Sequence, residues 1–157
     1  MAGSDALSDE QLAGLLQRYL TILQGHPGAE EMMGEILTED FETGFIGGHV
    51  WSGLEGLRDF LSQRDGFFDE KHTIEELLER ADADGDVEAH TRLNFFLRRW
   101  ESPSPTSEEF TGRCFHTWRA REVDGEWRVA AQLVERFADL NDNAERLFAT
   151  PDEGLNR

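Results

Sequence analysis

Apolar residues recur at Leu12, Leu15, Leu16, Tyr19 and Leu23, the spacing of a single helix face. Ser8 with Gln11 three residues on forms a capping box that starts this helix, and HPG at 26–28 ends it. A second helix is predicted from Ala29 to about Leu37, burying Met32, Met33 and Ile36. In FETGFIGGHVW, Gly47-Gly48 separates two short aromatic-rich segments, a hairpin pattern. Ser52 with Glu55 reads as a second capping box, and Leu54, Leu57, Phe60 and Leu61 mark a third helix.

From His72 the rhythm becomes that of strands. HTIEELLERADADGD has the Glu and Leu content of a helix, but its DADGD turn favours a hairpin. EAHTRLNFFLRRW then alternates, with Ala89, Thr91, Leu93, Phe95 and Leu97 on one face. SPSPTSEE is a loop with two prolines, and EFTGRCFHTWRAREVDGEWRVAAQLVERF is a long hairpin around Asp124-Gly125. The remaining DLNDNAERLFATPDEGLNR reads as a tail with one helical turn near 142–148. Helices first and a meander after them predict an α+β domain, with helices segregated against one curved antiparallel sheet. One domain over residues 1–157 is expected, its core at about 8–137 and its tail at 138–157.

Composition narrows the partners. Thirty-three acidic residues against 15 basic ones give a formal charge of −18, a field that repels nucleic acid and anionic membranes. Lys71 is the sole lysine, a bias that fits either a GC-rich genome or adaptation to salt. No apolar run is long enough for a membrane span, and MAGSDALSDEQ lacks the pattern of a signal peptide. A single cysteine fits a reducing cytoplasm, so a cytoplasmic protein is expected.

LLQRYLTIL, ILTEDF, WSGLEGLRDFL, DGDVEAHTRLNFFLRRW and GRCFHTWRAREVDGEWRV, in that order and spacing, resemble the nuclear transport factor two-like superfamily and its SnoaL-like branch. The resemblance spans roughly residues 8–137 and implies a cone-shaped barrel, its sheet curled around a pocket that the helices close. It turns Leu93, Phe95, Leu97, Gly112, Cys114, His116, Trp118, Ala130, Gln132 and Val134 inward, with Phe41 and Phe45 as further wall residues. Trp127, Val129, Ala131 and Leu133 make an equally apolar opposite face on the last strand. That face predicts a homodimer packed through the outer side of the sheet, as in many members of the superfamily.

His116 is the leading candidate base, an imidazole kept neutral in an apolar cone. His72 occupies the position of a catalytic histidine of scytalone dehydratase, but that enzyme's second histidine falls on Leu97, its pocket asparagine on His116 and a pocket tyrosine on Phe45. Tyr19 matches the carbonyl-polarising tyrosine of ketosteroid isomerase, whose two acids fall on Phe45 and Cys114. The Asp-Arg-Asp set of limonene epoxide hydrolases is missing, its strand positions carrying Leu93 and Phe95. Asp40 ends the second helix and is either a turn-fixing acid or a catalytic carboxylate.

Gln132 is placed to orient a ligand. Cys114, two strand positions from His116, lies about 6–7 Å from it, too far for proton transfer, and reads as wall. Neither a metal site nor a cofactor is expected. His26, His49 and His90 are taken as structural or surface residues, with His49, beside Trp51, within reach of the pocket mouth. The ligand class implied is a small hydrophobic, cyclic or polyketide-like molecule. The activity implied is that of a cyclase, isomerase or dehydratase. NFFLRRWES with GRCFHTWRAREVDGEWRVAAQLV also resembles the small subunit of ring-hydroxylating dioxygenases, a non-catalytic scaffold. A pure ligand-binding protein is the third reading.

Overall fold

The computed structural model describes residues 7–148. Helices α1 (Asp9–Leu23), α2 (Ala29–Ile36) and α3 (Gly53–Gln63) precede or interrupt the first short strands, β1 (Leu37–Phe45) and β2 (Val50–Ser52). The long strands β3 (Phe67–Ala83), β4 (Asp86–Arg99), β5 (Glu108–Val123) and β6 (Glu126–Ala138) follow, and α4 (Asp142–Phe148) closes the described chain. One six-stranded sheet runs in the order β2-β1-β6-β5-β4-β3. It is the expected α+β arrangement, curved and not closed. β3 to β6 form an antiparallel meander, and β1 joins β6 in parallel. No described helix is long and apolar enough to cross a membrane.

Ser8 makes the capping box with Gln11 that its spacing predicts. The second box does not form: Ser52 is the N-cap of α3 but its side chain caps nothing, and Glu55 instead pairs with Arg58. α2 ends at Ile36, one residue earlier than predicted, so Asp40 lies within β1 and not at the helix end. The tail does more than predicted. α4 buries Ala144 and Phe148, and Phe148 stacks on Phe137 at 4.9 Å between ring centres.

Gly44 permits the sharp approach of β1 to β2. Its φ is +146°, and a Cβ there would sit 2.2 Å from the His49 carbonyl oxygen. Gly44→Ala should therefore lower stability by about 1–3 kcal/mol. A thermal melt within 1 °C of wild type would contradict this.

Bulges rearrange the inner face. In the β5–β6 ladder Arg119 pairs with Ala131 but Ala120 with Val129, leaving Ala130 as an extra residue. An extra residue flips the alternation, so Trp127 and Val129 share the inner side with Gln132. Val129 is fully buried within one chain, and Trp127 packs against the core. Neither belongs to an outer face, which corrects the face that plain alternation assigns them. A second shift at Glu135, between the pairs Phe115–Arg136 and His116–Val134, turns Phe137 inward. The true outer face is charged. Glu75 binds Arg92 and Arg113, while His90 joins Glu88 and Glu135.

Candidate active site

The inner faces of β3 to β6, with β1, α1, α3 and α4, enclose a cavity of about 110 Å³. Phe45, Leu93, Phe95, Leu97, Cys114, Gln132 and Val134 line it, as do both His116 and His72. Sequence alternation along β4 and β5 brings most of these together. Thr43, Trp51, Phe60, Arg64, Phe67, Phe137 and Phe148 also belong to the wall and were not predicted.

Four predicted site residues are off the wall. Tyr19, Phe41 and Trp118 lie behind it, each no more than 1% exposed, with Tyr19 edge-on to Trp118. Asp40 is on the surface, accepting from the Thr38 hydroxyl at 2.7 Å and pairing with Arg121 at 3.1 Å. These partners, the Thr38 hydrogen bond foremost, hold its carboxyl below the ordinary carboxylate range. Asp40 is thus a paired surface acid that does not line the cavity.

The polar end of the cavity is a hydroxyl–amide–imidazole stack. Thr43 Oγ1 donates to Gln132 Oε1 at 2.8 Å, and the Tyr19 hydroxyl reaches the same oxygen at 3.3 Å. Two buried hydroxyl protons need an acceptor, and the amide oxygen has two lone pairs to offer. Gln132 Nε2 is then turned to His116, 2.9 Å from Nε2 and 3.3 Å from Nδ1. An atom nearly equidistant from both ring nitrogens lies over the ring face, not along either lone pair. Burial raises the Tyr19 phenol well above its ordinary value, so it stays protonated.

Cys114 Sγ is 3.2 Å from His116 Nε2, within hydrogen-bond reach and much closer than strand spacing alone predicts. The side chains lean toward each other along the strand. Burial nevertheless pushes the Cys114 thiol up and the His116 imidazole down to about 3. Thiolate and imidazolium are both disfavoured, and the pair is a neutral hydrogen bond.

A second cluster was not legible. Glu70, whose side chain has no exposure, is bonded by Arg64 and contacted by His72 at 3.2 Å and His26 at 2.5 Å. An extra residue at Asp69, with φ +51°, interrupts the β3–β4 register and lets Phe67, Glu70 and His72 all turn inward. Burial opposes the Glu70 charge, but the His72 hydrogen bond and the Arg64, His72 and His26 charges together keep its pKa below the usual range. Burial, more than Arg64, lowers the His72 imidazole, while Glu70 pulls it back up. His26, itself exposed, reaches in to Glu70 and supports the site, within the structural or surface role that the sequence implied.

A family model described as SnoaL-like domain matches residues 4–132. The chain belongs to the SnoaL-like family. No curated protein matches it. This SnoaL-like chain is similar to the Kfla4162 protein from Kribbella flavida, 14% identical over 87% of this chain and 95% of that one, with a TM-score of 0.68. ActVI-ORFA from Streptomyces coelicolor matches at 15% identity, 80% and 93% coverage and a TM-score of 0.60. A hexachlorocyclohexane dehydrochlorinase, LinA type 2, matches at 16% identity, 83% and 90% coverage and a TM-score of 0.57. At such identities the likeness is one of fold.

The buried histidines give this SnoaL-like domain a testable acid limit. His116 is neutral when folded down to about 3 but titrates near 6.5 when unfolded, so the unfolded state takes up the proton first. Stability is full above about pH 6.5 and falls as pH drops through that value toward the folded pKa. Between pH 7 and pH 5, wild type should lose on the order of 2 kcal/mol more than His116→Gln. Parallel urea curves for the two proteins at each pH check this, and equal losses would overturn it.

Proposed function

We propose that this SnoaL-like protein is a small-molecule enzyme that moves a proton on an uncharged, mostly apolar substrate, with His72 as the base. The observation that carries this reading is the buried Glu70–His72 contact at the wall of an apolar cavity. Glu70 facing Nε2 holds a proton there and leaves the Nδ1 lone pair to act as base. The carboxylate also offsets the positive charge that appears on the ring when it takes a proton. His116, the base expected from sequence, is supported less. An imidazole that protonates near 3 has little drive to take a proton from carbon.

His72 removes a proton from the carbon next to a carbonyl, or from the carbon adjacent to the one that bears a leaving group. The C–H electron pair then forms the new double bond, either as an enolate or with departure of the leaving group. The imidazolium returns its proton to another carbon, or to the leaving group or water. The Gln132 amide and the His116 ring form the neutral polar wall for the substrate oxygen. Arg64 is already matched by Glu70, so a charged substrate would find no counter-ion. The dehydrochlorinase named above, a protein of the same fold, supports elimination as one form of the chemistry.

The test uses small cyclic ketones, beginning with cyclohexanone and 2-cyclohexenone, incubated with wild-type protein in D2O. Enzyme-dependent uptake of deuterium at carbon, followed by mass spectrometry, is the expected result. Calorimetric binding across the panel with no exchange or turnover would overturn catalysis and favour a ligand-binding role.

A further inference from the structure

β3 is the last strand of the sheet, so one of its edges has no neighbouring strand. An unpaired edge leaves backbone groups that must find partners elsewhere. At His72 they find two glutamines of the first helical segment. Gln24 Oε1 accepts from the His72 N–H at 3.0 Å, and Gln17 Nε2 donates to the His72 carbonyl at 2.8 Å. Gln17 Oε1 also accepts from the Ile74 N–H at 2.9 Å. The two side chains therefore make, over residues 72–74, the bonds that a neighbouring strand would make. They do so on a short regular stretch, residues 71–74, that register shifts bound on both sides, between Phe68 and Lys71 and between Ile74 and Glu76; a third shift follows between Leu77 and Glu79.

The same end of α1 holds the other half of the cluster. Gln24 is the C-cap of α1, the Leu23 carbonyl lies 3.4 Å from Arg64 Nη1, and His26 contacts Glu70. Resting on the reading of His72 as the base, we propose that Gln17 and Gln24 are positioning residues that fix the His72 backbone so that its ring bridges Glu70 and the cavity. Neither lines the cavity; both act on His72 through its backbone, on the strand that carries the ring. Without them the segment between the two irregularities is free to slide or twist, and the ring loses its alignment with Glu70. Misplacement of a reacting group by about 1 Å is worth up to about 100-fold in rate.

Gln24→Met and Gln17→Met keep side-chain length and remove the hydrogen bonds. In each full-length variant, NMR should show faster amide exchange at His72 or Ile74 and a changed pH titration of the His72 ring. Turnover in the ketone exchange assay should fall about 10- to 100-fold in kcat with KM within threefold. Gln24→Glu keeps the acceptor for the His72 N–H and should restore amide protection. If His72→Gln proves silent, the base reading fails, but the ring titration still decides whether the glutamines position His72. Both methionine variants giving the wild-type titration, whatever turnover does, would overturn the proposal. Should Gln17→Met not fold, Gln24→Met alone carries the same readings.

Discussion

His72→Gln should lower turnover by about 100- to 10,000-fold, the usual worth of a positioned proton-transfer group. That corresponds to roughly 3–5 kcal/mol of transition-state stabilisation. Glutamine keeps polarity and approximate size at a site whose side chain is only 13% exposed, so ligand affinity should stay within about threefold. His116→Gln should cost less than about tenfold, because the ring it removes is a poor base that meets the cavity as a neutral polar group. The pH profile is a separate check. The His72 pKa is displaced downward from 6.5 by burial, so kcat/KM should rise with pH through a value below 6.5 and be flat at neutrality. A reversed order, with His116→Gln inactive and His72→Gln close to wild type, would move the base to His116.

The two candidate bases also mark the limit of what could be read in the sequence. Alternation on β4 and β5 places Leu93, Phe95, Leu97, Cys114 and His116 on one face, and the structure puts all five on the cavity wall. The rule holds there because the β4–β5 pairing is free of irregularity. On β6 it misleads. The extra residues Ala130 and Glu135 change the side on which Trp127, Val129 and Phe137 fall, and no residue type at those positions announces a bulge. The Glu70 cluster was hidden for a related reason. In FFDEKHTIEELLER a buried glutamate looks like its exposed neighbours Asp69, Lys71 and Glu75, and its partners come from α3 and the α1–α2 loop. The one local hint was the Glu-x-His spacing of residues 70 and 72, which on a strand aims both side chains the same way. Asp40, Tyr19, Phe41 and Trp118 carried the opposite error. Each is a residue type at home in a site, but one is on the surface and three lie behind the wall.

The Glu70 cluster should also dominate the stability of the domain. Glu70→Leu removes the only negative charge in contact with Arg64, His72 and His26 among the described ion pairs. The Arg64 side chain is 9% exposed and donates otherwise to the Leu23 carbonyl, so its charge would be left almost wholly within protein. Breaking a buried pair from one side typically costs about 3–5 kcal/mol, against a total of roughly 5–15 for a domain of this kind. A large drop in the urea midpoint, or loss of the folded protein at 37 °C, is therefore expected. Replacing both partners with apolar side chains removes the unmatched charge together with its cause. Arg64→Met combined with Glu70→Leu should accordingly recover most of the lost stability, while His72 keeps neither its carboxylate nor its turnover. Such a variant separates the two roles of the cluster: folded protein that binds ketone without exchanging its protons points to Glu70 as the partner of the base. If Glu70→Leu alone costs less than about 1 kcal/mol, Arg64 finds water in place of the carboxylate, and the buried ion pair is not what holds this end of the cone together.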